Sequence, residues 1–255
     1  MVILSLNERQ NQILNWVQRV DSLSVDEMVA YFDVSSQTIR KDINQLAERS
    51  LVRRTHGGIS PVSSIENLPF EHRHNLNIAE KMAMAELVAQ AIPDGASLFL
   101  GVGTTVEYVS RALLNHKALQ VFTNNLTVAS IFGVRPNIQV RVLAGKLRHQ
   151  HHDLVGEETL AGLRKYFFDY GILGCGGLDE EQGILDFDPE EAAVSRVLIE
   201  QSRHVFLVAD QHKWHRKAMA RVQPFEKIEC FFSDEITPQR QRFLASSGVK
   251  VELVC

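Results

Sequence analysis

Apolar residues recur at helical spacing in three short segments at the start of the chain. Residues 6–20 carry their apolar side chains largely on one helical face. Residues 24–32 repeat this pattern behind Ser24, which precedes Glu27 by three residues and so matches a capping box. We predict a third helix that is capped by Ser36 and that directs apolar residues inward, namely Ile39, Ile43 and Leu46.

A strand and a glycine turn follow the third helix. Residues 51–59 are typical of a strand, a turn at Gly57 and Gly58, and the start of a returning strand. We therefore expect a winged helix-turn-helix domain over residues 1–59. Residues 60–77 contain Pro, Ser and Asn without clear periodicity, and we expect them to form a linker.

Beyond the linker, apolar strands alternate with helices. The predicted helices cover residues 80–92, 105–114, 126–132, 189–202 and 238–246. The predicted strands cover residues 97–101, 119–123, 138–144, 170–174, 204–209, 228–233 and 249–254. This alternation predicts an α/β domain over residues 78–255, with a Rossmann-like, mostly parallel sheet between two layers of helices. Its ligand site should lie beyond the carboxyl ends of the strands.

The composition is that of an ordinary globular protein. Its apolar runs are too short to cross a bilayer, and residues 1–5 lack the features of a secretory signal, so we expect a cytoplasmic protein without a membrane partner. Three cysteines, Cys175, Cys230 and Cys255, have no CxxC spacing, which argues against a disulfide framework and a zinc site. Each is expected to be a reduced thiol.

Positive charge is concentrated on one segment although the net charge is −4. Residues 35–58 carry five basic and two acidic residues, whereas residues 1–34 carry two basic and five acidic ones. The basic segment comprises the third helix and the wing, where DNA phosphates would be met. A three-helix protein-interaction module with solvated charges is the alternative, and the charge asymmetry and the wing favour DNA.

The third helix has side chains that suit base edges. Gln37 can pair with adenine, Arg40 with guanine, and the methyl group of Thr38 can pack on thymine. Lys41, Arg53 and Arg54 are better suited to phosphates. We expect the following residues to bind DNA: Ser36, Gln37, Thr38, Arg40, Lys41, Arg53, Arg54 and His56.

Polar or glycine-rich loops follow four strands of the second domain. Residues 101–105 (GVGTT) lie between a strand and a helix, where free backbone N–H groups attract an anion. A glycine turn of this kind alone would equally suit a simple bend, but the loops at 123–125, 144–146 and 174–177 should converge on the same rim. The candidate effector-binding residues there are Gly103, Thr104, Thr105, Thr123, Asn124, Asn125, Gly145 and Gly176.

Three histidines near Asp153 suggest a metal site at first sight. His151 and His152 are adjacent, however, and the segment is typical of a loop and not of a helix, so solvated loop histidines are the better interpretation. We expect no metal and no cofactor.

The motif at residues 35–46 (SSQTIRKDINQL), followed by Arg53, Arg54, His56, Gly57 and Gly58, resembles the signature of the DeoR family of bacterial repressors, nearest to its glycerol-phosphate branch. The likeness runs over nearly the whole chain, through residues 103–105, 112–116, 123–126, 143–145, 171–174, 186–188 and 210–213. The family's sensor domain is similar in fold to ribose-5-phosphate isomerase, which implies a phosphorylated sugar or polyol as effector, such as glycerol 3-phosphate.

The resemblance also implies further effector-binding residues, with carboxylates for hydroxyl groups and a lysine for phosphate or hydroxyl: Asp179, Asp188, Glu191 and Lys213. The charge of a helix N-terminus would by itself account for Asp188 and Glu191, and a solvated side chain in a charged loop is the alternative for Lys213. This chain departs from the glycerol-phosphate branch at Gly101, where the branch has an aspartate, and at Lys146, where it has a glycine. A glycine pair of the branch is likewise replaced by two histidines at residues 151–152.

We therefore expect a repressor of a sugar or polyol catabolic operon, and not an enzyme. It should bind double-stranded operator DNA as a homodimer or homotetramer, because two half-sites raise affinity. A DNA-tethered, isomerase-like enzyme and an activator with the same domains are the alternatives.

Overall fold

A computed structural model describes residues 6–17, 20, 22–49, 51–61, 73–74 and 76–254 of the chain. The chain divides into two compact units, residues 1–77 and residues 78–255. Residues 18–19 of the predicted first helix, most of the predicted linker and Cys255 lie outside the described residues.

The N-terminal unit contains three helices and a small antiparallel sheet. Its elements are α1 (Glu8–Val17), β1 (Leu23–Ser24), α2 (Val25–Phe32), α3 (Ser36–Glu48), β2 (Val52–Thr55) and β3 (Gly58–Pro61). The sheet has the order β1-β3-β2, and β2 and β3 form the predicted hairpin. Strand β3 continues to Pro61, past the predicted end of the domain at residue 59.

Local capping sets the helix starts. Ser24 and Glu27 form the predicted capping box at α2. The N-cap of α3 is Ser35 and not Ser36, because the Ser35 hydroxyl accepts a hydrogen bond from the N–H of Thr38. The predicted inward residues of α3 are buried, and they join the core of this unit with residues of α1, α2 and β3, among them Ile13, Leu14, Met28 and Ile59.

The C-terminal unit is an α/β domain. Its helices are α4 (Ile78–Ala91), α5 (Thr104–Ala112), α6 (Leu126–Phe132), α7 (Glu157–Leu163), α8 (Pro189–Glu200) and α9 (Pro238–Ser246). Its strands are β4 (Ser97–Leu100), β5 (Gln120–Thr123), β6 (Gln139–Val142), β7 (Lys146–Arg148), β8 (Asp153–Val155), β9 (Phe168–Leu173), β10 (Gly177–Asp179), β11 (Gly183–Asp186), β12 (Ser202–Val208), β13 (Ala220–Gln223), β14 (Cys230–Ser233) and β15 (Lys250–Leu253).

Seven of these strands form one parallel sheet in the order β15-β14-β12-β9-β4-β5-β6. Alternate residues of β4 point to opposite faces, so Leu98 and Leu100 join one apolar cluster and Phe99 joins another. The first cluster includes residues of α4 to α6, and the second includes residues of α7 to α9. The predicted fold class, a doubly covered parallel sheet behind a winged helix-turn-helix, is confirmed.

Two antiparallel additions were not predicted. No element was predicted in the stretch after β6, which holds the β7–β8 hairpin and then α7. Strands β10, β11 and β13 form a separate antiparallel sheet. Along the chain, the first addition follows the carboxyl end of β6 and the second follows that of β9. In the described part of the chain, no helix is long and apolar enough to span a membrane.

Candidate DNA-binding and effector sites

Helix α3 presents a polar face at its N-terminal end. Ser36, Gln37, Arg40 and Lys41 are exposed, as predicted for DNA-binding residues. Thr38 is half-buried, and its hydroxyl lies 2.9 Å from the hydroxyl of Ser35. The Thr38 hydroxyl is thus shared with the helix cap.

A buried polar network fixes α3 against α1. Asp42 is 3% exposed, and its carboxylate accepts hydrogen bonds from Arg9 Nε at 2.6 Å and from Gln10 Nε2 at 3.1 Å. Gln10 Nε2 also donates to the side chain of Gln45. Asp42 is buried and paired with Arg9, so its negative charge is not on the outer face of α3. That face is therefore more basic than the count of basic and acidic residues over 35–58 indicates.

The hairpin carries the remaining DNA-binding candidates. Arg53, Arg54 and His56 are exposed on β2 and its turn. Gly57 has a φ of +93°, which favours glycine. Gly58 is required for another reason, because a Cβ atom there would lie 2.1 Å from the backbone oxygen of Leu23 in β1.

The loop after β4 leads into the N-terminus of α5. Gly103 is the N-cap, with a φ of +137°, and it supplies no side-chain cap. The first N–H groups of a helix have no partner within it, and the helix dipole favours negative charge there. Thr104 and Thr105 begin the helix and are both buried. This N-terminus has the properties of an anion site.

The loop after β5 contains fully buried amides with incomplete hydrogen bonding. Thr123 is satisfied, since its hydroxyl donates to the Leu100 oxygen and accepts from the Asn125 N–H. Asn125 Oδ1 caps α6, and Asn124 Nδ2 donates to the Leu154 oxygen at 2.8 Å. Asn124 Oδ1 and Asn125 Nδ2 remain buried without a partner among the described residues. A ligand or water would have to satisfy them.

Arg148, at the end of β7, was missed by sequence reasoning and organises the acidic residues of this region. Its guanidinium contacts Asp153 through Nε at 2.9 Å and through Nη2 at 2.5 Å. It also contacts Asp188 Oδ2 through Nη1 at 2.6 Å and Glu191 Oε2 through Nη2 at 2.9 Å. We call these four residues the Arg148 cluster. The Arg148 side chain is 10% exposed and that of Asp153 is 0% exposed.

The electrostatics of the Arg148 cluster are set by burial and by the guanidinium. Burial raises the pKa of Asp153, and the contact with Arg148 offsets part of this shift. For Asp188, burial acts to raise the pKa, but the backbone N–H of Glu190 and Arg148 together lower it. Burial opposes the charge of Arg148, yet Asp153 and Glu191 raise its pKa, so the guanidinium stays charged.

The other predicted effector residues have varied environments. Gly145 and Gly176 allow close packing, because a Cβ atom would lie 2.1 Å from Thr159 Oγ1 or 2.9 Å from the Cα of Asp186, respectively. Asp179 is exposed in the β10–β11 turn, where its Oδ1 accepts from the N–H groups of two following residues at 2.8 Å. It is not part of the Arg148 cluster.

Lys213 is half-buried in the short 3-10 helix Gln211–His215 that follows β12. Among the described residues, no three His, Cys, Asp or Glu side chains are placed to hold a metal ion. The structure thus brings Asp188 and Glu191 together through Arg148. It also places Asn125 opposite Asp153 in an antiparallel bridge.

A helix-turn-helix with a basic wing, followed by an α/β domain with polar loops at its strand ends, defines a DNA-binding protein with a small-molecule sensor. Residues 9–64 match the DeoR-like helix-turn-helix domain, and residues 76–235 match the DeoR C terminal sensor domain. The chain belongs to the DeoR family.

Two of its relatives are named as transcriptional repressors. The chain is 39% identical to the glycerol-3-phosphate regulon repressor of Escherichia coli K12, over 96% of this chain and 98% of the relative. It is 37% identical to the HTH-type transcriptional repressor CsqR of the same strain, over 92% and 90%. Ribose 5 phosphate isomerase A from Neisseria gonorrhoeae is similar to 54% of this chain over 53% of its own, at 14% identity and a TM-score of 0.40. That likeness is too distant to bear on chemistry.

Proposed function

We propose that the protein represses a sugar or polyol catabolic operon and that a phosphorylated metabolite, such as glycerol 3-phosphate, releases it from operator DNA. The observation that carries this proposal is the 39% identity with the glycerol-3-phosphate regulon repressor of Escherichia coli K12 over 96% of this chain, together with the matches of this chain to the DeoR-like helix-turn-helix and sensor domains. The polar strand ends of the sensor domain support it, because they offer separate groups for an anion and for hydroxyls.

In the DNA-binding half, α3 enters the major groove and the wing lies on the backbone. Gln37 and Arg40 are exposed and read base edges. Lys41, Arg53 and Arg54 contact phosphates and supply the salt-dependent part of the affinity. The functional form is a homodimer or homotetramer, since each subunit reads one half-site.

In the sensor half, the N-terminus of α5 binds the phosphate group. Thr104 and Thr105 supply N–H groups and hydroxyls there. Asp188 and Glu191 accept hydrogen bonds from ligand hydroxyls, and Lys213 adds a cation. The sensor domain starts at residue 78, binds the metabolite and does not convert it.

The effector acts through its different affinity for the DNA-competent and DNA-incompetent states. Thr104→Val together with Thr105→Val should therefore retain operator binding and lose release by the metabolite. Two charge-assisted hydrogen bonds contribute about 1.5–3 kcal/mol each, so the effector should weaken tens-fold or more. Lys213→Ala should act in the same direction.

A thermal-shift screen of the full chain against phosphorylated sugars and polyols identifies the effector, because a ligand of the folded state raises the melting temperature. The double variant should lose the shift of the best ligand, while Thr127→Val, a change outside the α5 loop, should keep it. Mutants released from DNA at the wild-type midpoint would place the effector elsewhere. Isomerase turnover of ribose 5-phosphate or hexose phosphates above background would refute a pure sensor.

A further inference from the structure

The Arg148 cluster holds more negative than positive charge. One guanidinium faces three carboxylates, those of Asp153, Asp188 and Glu191. An arginine side chain has five N–H donors, and these carboxylates take four of them. A single arginine cannot neutralise three acids, so the cluster disfavours a further anion.

Acceptors in this cluster remain available. Glu191 Oε1 makes no hydrogen bond to the described residues, although its partner oxygen Oε2 contacts Arg148. Asp188 uses Oδ1 for the N–H of Glu190 and Oδ2 for Arg148, and each carboxylate oxygen can accept a second bond. An ionised carboxylate can only accept, so its matching ligand group is a donor such as a hydroxyl.

An independent observation concerns unpaired polar groups in the loop after β5, which forms a bridge with Asp153 of the cluster. Asn125 and Asp153 are directly opposite in an antiparallel bridge, so their side chains lie on the same face. Asn125 Nδ2 and the neighbouring Asn124 Oδ1 are fully buried and lack partners among the described residues. Buried polar groups in folded proteins are nearly always paired, so these two atoms indicate a missing polar ligand or water.

The anion site is distinct from this acidic region. Strand β5, which leads to Asn124, is paired with β4, which leads to the N-terminus of α5. The two adjacent strand ends therefore offer N–H groups at one and hydroxyl acceptors beside the other. If the phosphate group of an ester binds at α5, the hydroxyl groups of the same ester can reach the carboxylate acceptors Asp188 and Glu191.

We propose that Arg148 is a positioning residue that makes the effector site selective for polyhydroxylated phosphate esters. It holds Asp188 and Glu191 as acceptors for ligand hydroxyls, while the surplus negative charge keeps the phosphate at α5. This inference rests on the proposed function. It adds a role for Arg148 and a preference for phosphate esters with several hydroxyl groups over esters without them. Arg148 itself touches carboxylates and not the ligand.

The test compares esters that share a phosphate and differ in hydroxyls. Binding of glycerol 3-phosphate, fructose 6-phosphate and n-propyl phosphate to the full chain is measured by calorimetry. Wild type should bind the better polyhydroxylated ester about tenfold or more tightly than n-propyl phosphate, since one or more hydrogen bonds to a charged acceptor are added. The ratio of the two affinities, that for the polyhydroxylated ester divided by that for n-propyl phosphate, should fall close to one in Arg148→Gln. The affinity for n-propyl phosphate itself should change little.

Two further variants separate positioning from a general structural effect. Arg148→Lys keeps the charge without the fork of donors, so it should restore only part of the ratio. Arg164→Gln removes an arginine from an exposed pair with Glu157 and should leave the ratio as in wild type. Should Arg148→Gln fold poorly, Arg148→Lys makes the test by itself, because the loss of the donor fork should leave its ratio well below that of wild type.

The inference is overturned if Arg148→Gln weakens all esters equally, because Arg148 would then act on the phosphate or on the fold. It is also overturned if wild type binds n-propyl phosphate as tightly as the polyhydroxylated esters, an outcome that leaves a phosphate-responsive repressor intact. Binding of none of the esters, with no effect on operator binding, would refute both this inference and the proposed effector class.

Discussion

Replacing Asp42 with alanine removes the carboxylate that joins α1 to α3. The change deletes the 2.6 Å bond from Arg9 and the 3.1 Å bond from Gln10 in one step. Gln10 Nε2 keeps its contact with Gln45, so it is not left without a partner. The main loss is therefore the charge-assisted bond to Arg9.

The structure sets the expected size of this effect. A charge-assisted hydrogen bond contributes about 1.5–3 kcal/mol. Breaking a fully buried ion pair destabilises by about 3–5 kcal/mol, but the side chain of Arg9 is 31% exposed and can return to water. We expect a loss of about 2–3 kcal/mol in the free energy of unfolding, a large part of the roughly 5–15 kcal/mol that keeps a domain folded.

Urea unfolding followed by tryptophan fluorescence measures this loss in the N-terminal unit. The chain has two tryptophans, Trp16 and Trp214, so a Trp214→Phe background leaves Trp16 as the reporter. The midpoint should fall by about 1 M or more, given a slope of about 1–3 kcal/mol per M. Glu48→Ala, an exposed change on the same helix, is the control. A shift for Asp42→Ala no larger than that of the control would refute the stabilising role of the network.

Three further experiments test the DNA-reading residues, the wing and the pH dependence of stability. Arg40→Ala should weaken operator binding by about 1–3 kcal/mol and reduce the preference for one base pair, whereas Arg53→Ala should weaken the binding of operator and scrambled DNA alike. Gel shifts at two salt concentrations distinguish the two effects. Unchanged operator affinity for Arg40→Ala would argue against α3 as the reading helix. Gly58→Ala should destabilise the wing by about 2 kcal/mol or more, because the new Cβ would lie 2.1 Å from a backbone oxygen. Gly57→Ala should destabilise it by only about 1 kcal/mol, through backbone strain. Equal effects of the two changes in urea unfolding would contradict this order. Hydrogen bonds from Ser97 lower the pKa of Asp169. The stabilising effect of Asp169 is therefore present above its ordinary pKa of about 3.9 and is lost as the pH falls through the lowered value. Asp169→Asn should show a smaller drop in Tm between neutral and acidic pH than wild type, and an unchanged drop would exclude this contribution.

Elements with local stop and start signals could be predicted from the sequence. The bounds of α6 and α9 agree with the prediction because Asn125 caps the first and Pro238 opens the second. The β7–β8 and β10–β11 hairpins were missed because their strands, with the sequences KLR, DLV, GLD and GILD, hold only one or two apolar residues each, too few to show a strand pattern.

The Arg148 cluster was missed for a different reason. Arg148 and Asp188 are 40 residues apart, and they meet because the β7–β8 hairpin packs near the start of α8. No local pattern reports such a contact. For Asp42 a local signal existed, since it lies next to Ile43 on the inner side of α3, but a count of charges along the segment treats it as exposed.

The most direct test of the central claim is the affinity of the full chain for its operator as a phosphorylated effector is added. The operator is first selected from random DNA with the purified protein, and fluorescence anisotropy then follows binding with rising glycerol 3-phosphate or the best ligand of the screen. The account predicts that the effector weakens operator binding about tenfold or more, that glycerol without phosphate does not, and that the Thr104→Val, Thr105→Val variant stays bound. Operator affinity that no phosphorylated sugar or polyol changes would contradict it.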